Sequence, residues 1–402
     1  MRILETLASA DPASGGPLEG VLRHGEVWRR QGHTCELVTL DPPDAPFLKS
    51  ASIRIHALGS TRHITPARLR RFVPWTRYGY TAGYVSWLRA HAADYDAIIV
   101  NGLWNYSTMG ARLALPGGKT PYFVFSHGMM DPWFRRVNPL KHAAKQALWL
   151  FNEGPLLQGA HAVLFTTDDE LISSRNAFHP YRIQEKVVGY GTSDVQGDPD
   201  VQRAAFRASL PHLGQRKYLL YLSRIHPKKG CDLLIKAFAA LADRLPDTDL
   251  VIAGPDQLGW RAELEALAST AGIAQRIHWP GMLSGDLKWG AFRGCEAFIL
   301  PSHQENFGVV VAEALACARP VLISNKVNIW REVEAAAAGI VDDDTLDGTV
   351  NIIEHFAKLD HNARMAMGEA GRRLFLDRYT IDGAANKLLD VLSQGIVSHG
   401  RA

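Results

Sequence analysis

Residues 296–324 read EAFILPSHQENFGVVVAEALACARPVLIS, so an apolar strand, a polar loop, an apolar helix and a second apolar strand follow one another within 29 residues. This is a βαβ pattern, and it commits the chain to a parallel sheet. The runs EAFILP and PVLIS lack polar alternation, as strands covered on both faces do. Between them, 309–318 reads VVVAEALACA, a helix apolar on nearly every side whose one charge is Glu313. An unpaired carboxylate there costs several kcal/mol to desolvate, so Glu313 must meet a partner.

Glu305 lies eight residues earlier, followed by Asn306, Phe307 and Gly308 where the loop turns into the helix. A helix N-terminus presents free N–H groups and a dipole that favours an anion, and glycine lets a phosphate approach the backbone. One turn further in, Glu313 is placed to accept two hydrogen bonds from a ribose diol. The constellation suits a sugar nucleotide. The plainer alternative pairs Glu313 with Arg319 and leaves Glu305 as a helix cap.

Two further loops carry chemistry. After the strand YLLYLS comes Arg224-Ile225-His226-Pro227-Lys228-Lys229-Gly230, whose cations and glycine at a strand-to-helix loop make a phosphate clamp. After YFVFS comes His127-Gly128, at the carboxyl end of a parallel strand, where ligands bind in such sheets. Near the N-terminus, a first strand over 2–8 leads through Gly15 and Gly16 into a helix over 18–31. There backbone amides can meet a ligand, although Gly-Gly-Pro also simply makes a turn. Acidic runs at 168–170 and 342–344 fall at helix starts and loop ends and read as structural, so no metal is required.

With 402 residues the chain has room for two α/β domains. The boundaries expected are 1–190 for the first, a polar linker over 191–216, and 217–379 for the second, with a last helix over about 380–402 packing back on the first. The net charge of +3 is small, but 51–150 carry 13 Lys plus Arg against 3 Asp plus Glu. One basic face is expected, suited to a phosphate-bearing or anionic-lipid partner. Between Arg62 and Trp87, arginines alternate with aromatics. Over 133–151, Arg135, Arg136, Lys141 and Lys145 mix with Leu140, Leu148 and Phe151 in a pattern found on membrane surfaces, and equally in a domain helix whose apolar side packs on the sheet. No nucleic-acid motif accompanies them, and nucleic acid is not expected as a partner. No apolar run reaches the roughly 20 residues of a spanning helix. The four scattered cysteines show no metal-ligand spacing and fit a reducing, cytoplasmic compartment, with contact at the inner face of a membrane as an addition.

The stretch from Pro301 to Val321, PS-x-x-E-x-FG, four residues, EALA and then PV, resembles the donor-site signature of the retaining glycosyltransferases of family 4, which have the GT-B fold. One departure is Ala318, where that family usually has glycine. The resemblance implies two Rossmann-like, doubly wound parallel-sheet domains facing across a cleft. It implies that Glu305 contacts the donor sugar and Glu313 the ribose, that Arg224 and Lys229 neutralise the leaving diphosphate, and that His127 lies near the reacting centre. The expected site is therefore Gly15, Gly16, His127, Arg224, Lys229, Glu305, Asn306, Phe307, Gly308 and Glu313, with no cofactor and a UDP- or GDP-sugar as donor. The acceptor expected is a glycan or lipid-linked molecule in polysaccharide assembly. A sugar-nucleotide epimerase, a phosphorylase and a non-catalytic sugar-nucleotide binding protein remain the alternatives.

Overall fold

The computed structural model describes residues 1–12, 16–60, 78–132, 135 and 138–400. They divide into two compact units, Met1–Tyr190 with Ile381–Ala402, and Gly191–Thr380.

In the first unit seven strands form one sheet: β1 Arg2–Thr6, β2 Thr34–Thr39, β3 Arg54–Ala57, β4 Ala97–Asn101, β5 Tyr122–Phe125, β6 Ala162–Phe165 and β7 Glu185–Val187. Their order is β3-β2-β1-β4-β5-β6-β7, and every pairing is parallel. The winding reverses between β1 and β4, which makes the carboxyl edge of those two strands the switch point where such sheets hold ligands. AIIVN and YFVF are buried throughout, because helices cover both faces of the sheet. The last helix, Ile381–His399, belongs to this unit: Trp28 Nε1 donates to the Ala385 carbonyl at 3.0 Å.

Six strands build the second sheet: β8 Lys217–Leu222, β9 Thr248–Ala253, β10 Ile277–Gly281, β11 Ala297–Leu300, β12 Val321–Ser324 and β13 Gly339–Asp342. Here the order is β10-β9-β8-β11-β12-β13, again parallel, with the reversal between β8 and β11. That places the loops after β8 and β11 side by side.

Three expectations need correction. Residues 191–216 are not merely a linker: they contain helix Pro199–Ser209, which packs tightly on helix Gly285–Gly294, with Gln202 Nε2 donating to Asp286 Oδ1 at 2.7 Å. The polar composition of 191–216 hid a helix with one buried stripe, Gln202 and Phe206. The basic aromatic stretch falls partly on 61–77, outside the described residues. Of its described remainder, Tyr84 is core rather than surface, fully buried against β1 and β4 neighbours, while Tyr80 is exposed. Helix Pro139–Leu148 has no buried residue, so no apolar side of it packs on the sheet; Trp149, in the π-turn Trp149–Glu153 that follows, is the anchor.

Candidate active site

In the second unit the loops after β8 and β11 are stitched together by their own side chains. Ser302 Oγ lies 3.0 Å from the Lys228 carbonyl, and the His303 amide donates to the same carbonyl at 2.8 Å. Lys228 Nζ donates to Gln304 Oε1 at 2.6 Å, and Lys229 Nζ donates to the Gln304 carbonyl at 3.2 Å. Gly230 closes this junction in the left-handed region at φ 69°; a Cβ there would stand 2.1 Å from the Pro301 carbonyl oxygen. The glycine is therefore what lets the two loops touch.

Lys229 is 7% exposed and its ammonium pairs with the Glu305 carboxylate. The Glu305 backbone is fixed separately: its amide donates to the Lys326 carbonyl at 2.9 Å, and its carbonyl accepts from the Asn328 amide at 3.1 Å. Gly308, at φ 78°, caps helix Val309–Ala316 from the left-handed region and turns the chain into it. Asn306 is half-buried on the same loop, whereas the Phe307 ring is buried edge-on against Tyr379, with centroids 5.4 Å apart. Arg224 is exposed and makes no side-chain hydrogen bond or ion pair among the described residues. His226 caps the turn Pro227–Lys229, its Nδ1 accepting from the Lys228 amide at 3.0 Å. Burial, and then the cations Arg224, Lys228 and Lys229, hold its imidazole below the usual histidine range, which records a positive local field.

Glu313 is 3% exposed, and the partner it meets is Lys288, whose Nζ donates to Oε1 at 2.8 Å. The expected alternative, Arg319, is engaged elsewhere: it binds the carbonyls of Cys317 and Cys295. Lys288 comes from helix Gly285–Gly294 and also lies over the Trp289 ring, at 4.4 Å from its centroid. Sequence reasoning missed it, since its one signal was a lysine just inside a helix start, SGDLKW.

In the first unit Gly15 lies outside the described residues. Gly16 opens helix Gly16–Arg30, and its carbonyl accepts from the Tyr190 hydroxyl at 3.0 Å. His127 and Gly128 are both left-handed, at φ 48° and 73°, a tight turn that Glu170 holds by accepting from the Gly128 amide and the Ser126 hydroxyl, each at 2.6 Å. The acidic run 168–170 is thus structural with a consequence: Glu170 fixes the His127 turn. The His127 ring stacks on Phe125 at 4.3 Å, and its Nε2 lies 2.8 Å from Asn101 Oδ1. Burial pushes the imidazole down to about 3, with His24 adding to the effect, so His127 is neutral at pH 7. An open recess of about 610 Å³ in this unit is lined by Pro132, Arg135, Ile172, Ser173 and Asn176. Among the described residues no group of three His, Cys, Asp or Glu side chains is arranged to hold a metal, no helix is long and apolar enough to cross a membrane, and the four cysteines are free and buried.

A family model described as "Glycosyl transferases group 1" matches residues 202–374, and one described as "Glycosyl transferase 4-like domain" matches 15–191. The chain is 29% identical over 226 residues to a GDP-mannose-dependent alpha-(1-6)-phosphatidylinositol monomannoside mannosyltransferase of Mycolicibacterium smegmatis, covering 54% of this chain and 58% of that protein. It is 33% identical over 180 residues to a D-inositol 3-phosphate glycosyltransferase of Rhodococcus jostii, covering 44% and 39%. The matched stretch therefore spans less than two thirds of either relative. Among solved structures, Anabaena HepE in complex with UDP and glucose superposes with a TM-score of 0.74 at 18% identity, over 98% of this chain and 100% of that one. Sucrose-phosphate synthase from Thermosynechococcus elongatus gives 0.73 at 20% identity, over 99% of each chain. At these identities the structures establish the fold, two parallel-sheet domains of the GT-B type.

Proposed function

Because this chain belongs to the group 1 glycosyl transferases, we propose that it moves a hexosyl unit from a nucleoside diphosphate sugar to an acceptor hydroxyl, with retention at the anomeric carbon. The observation that carries this reading is the junction of the loops after β8 and β11. Arg224 stands exposed, and Lys229 and Glu305 pair beside the N-terminus of helix Val309–Ala316. Negative charge grows on a departing diphosphate, so preplaced cations and a helix N-terminus stabilise the transition state more than the ground state. Glu313, ion-paired with Lys288, supplies the acceptor oxygens that a ribose diol needs. Glu305 is a poor covalent nucleophile while Lys229 holds its carboxylate. That favours front-face attack, in which the leaving phosphate takes the acceptor's proton.

The acceptor in this reading is a glycan or lipid-linked hydroxyl of cell-surface polysaccharide, and no cofactor or metal takes part. Helix Pro139–Leu148 and the turn after it expose Leu140 at 85% and Phe151 at 75%, with Leu148 beside them and Lys141 and Lys145 on the flank. An apolar stripe bordered by cations, with no acidic residue over 132–152, suits an anionic bilayer surface. The enzyme in this reading is cytoplasmic and peripheral.

The test is to incubate the protein with UDP- and GDP-hexoses and lipid-linked or oligosaccharide acceptors, and to read the new anomeric configuration by NMR. Transfer with retention supports the reading. Inversion, acceptor-independent conversion of the donor, phosphate-dependent turnover, or tight donor binding with no turnover overturns it in favour of another mechanism, an epimerase, a phosphorylase or a binding protein respectively.

A further inference from the structure

The carboxyl edge of β1 and β4, the switch point of the first sheet, holds a polar chain that the reaction described above does not use. Glu5 is 2% exposed and Asn101 1% exposed. Asn101 Nδ2 donates to Glu5 Oε2, and Asn101 Oδ1 faces His127 Nε2 at 2.8 Å. β1 and β4 run in parallel with Glu5 opposite Ile99, so the two side chains meet because adjacent strands end together. Among the described residues no cation pairs with Glu5. A buried carboxyl without a counter-ion is costly, and an apolar side chain would serve the core better unless the group is needed.

Its effect follows from hydrogen-bond polarity alone. A carboxylate only accepts, so Glu5 draws the amide nitrogen of Asn101 toward itself and turns the amide oxygen toward His127. That oxygen also only accepts, so Nε2 must carry the proton. We propose that Glu5 and Asn101 are positioning residues that hold His127 as a neutral imidazole protonated at Nε2, leaving Nδ1 to accept a hydrogen bond from a substrate hydroxyl. The proposal rests on the reading of His127 as a residue that faces substrate. The stack on Phe125 and the Glu170-held turn fix where the ring lies, while the Asn101 contact fixes which nitrogen is the acceptor.

The titratable groups around this chain are Cys35 on β2 and Tyr190, near Glu5, His24 on helix Gly16–Arg30, near His127, and Glu170, which holds the His127 turn; all are buried. Burial raises the Glu5 carboxyl to about 7. Below that value a protonated Glu5 can donate to the Asn101 oxygen, which allows the amide to reverse and Nδ1 to carry the proton instead.

The test is nitrogen-15 NMR of the histidine rings in the full chain, with the His127 signals identified by their loss in His127→Gln. Above the Glu5 midpoint, wild type is expected to show a single Nε2–H tautomer, while Asn101→Leu and Glu5→Gln give a mixture, Gln being free to present either end. In glycosyl transfer, Asn101→Leu is expected to lower kcat about tenfold with a small change in the donor KM, and Glu5→Gln less. Glu5→Gln keeps the volume and the hydrogen bond, so it reads the network even if Asn101→Leu folds poorly. An Nδ1–H tautomer or an imidazolium in wild type overturns the proposal, as does a tautomer unmoved by either variant. A shifted tautomer with unchanged kinetics overturns the placement of His127 against substrate, whereas the tautomer readout itself stands whether or not transfer occurs.

Discussion

Replacing Glu5 with glutamine should make the first unit more stable at neutral pH and leave it unchanged in acid. Burial lifts the folded-state carboxyl from 4.5 to about 7, with the Asn101 hydrogen bond opposing part of that rise. Below about pH 4.5 the group is protonated whether the chain is folded or not, and it contributes no pH dependence. As pH rises from 4.5 to about 7 the unfolded chain ionises first, and the folded state is progressively disfavoured until both forms are charged. The interval is about 2.5 pH units at about 1.4 kcal/mol each, so wild type loses at most about 3.5 kcal/mol across it. Glu5→Gln has the same shape and no charge to bury, so the loss disappears. Hydrogen–deuterium exchange of β1 and β4 peptides against urea reads this unit apart from the other. Wild type and variant should coincide in acid and diverge in favour of the variant toward pH 7. Parallel curves across the interval would show that Glu5 is ionised freely in the folded state, and would refute the reasoning from burial.

Ala318 sits at φ 54°, so Ala318→Gly should stabilise the second unit by about 1 kcal/mol in urea unfolding, since a Cβ is disfavoured in the left-handed region. Gly230→Ala should do the reverse and more: beyond about 1–2 kcal/mol of backbone strain, its Cβ displaces the Pro301 carbonyl, and both stability and nucleotide binding should fall together in calorimetry. Lys288→Met strands the Glu313 carboxylate at 3% exposure and should cost about 3 kcal/mol of stability, partly recovered in the double variant with Glu313→Gln; full additivity would mean that the two side chains do not couple.

The strands and most helix positions were legible because parallel strands covered on both faces have few polar residues to blur them, and AIIVN, YFVF and VLIS stand out in any reading. That Lys229, Glu305 and Gly308 lie near one another was legible for a related reason: short loops between buried elements concentrate polar residues and glycines. What escaped were contacts that join elements far apart in the chain. The plainer alternative for Glu313 was Arg319, six residues away; its partner is Lys288 on another helix. Tyr190 holds the Gly16 carbonyl from 174 residues away. The Glu5, Asn101 and His127 chain needs the strand order itself, since β1 and β4 are neighbours only after two intervening strands have moved to one side. Helix Pro199–Ser209 was missed because its buried stripe contains a glutamine, which periodicity arguments count as exposed.

The central claim is that the loops after β8 and β11, with Glu313 behind them, bind a nucleoside diphosphate. Isothermal titration calorimetry of UDP, GDP and ADP against wild type and Glu313→Ala tests it most directly. One nucleotide should bind saturably to wild type and at least about tenfold more weakly to the variant, as the loss of hydrogen bonds to a charged acceptor requires. Binding of none of them, or binding that Glu313→Ala leaves unchanged, would contradict the account.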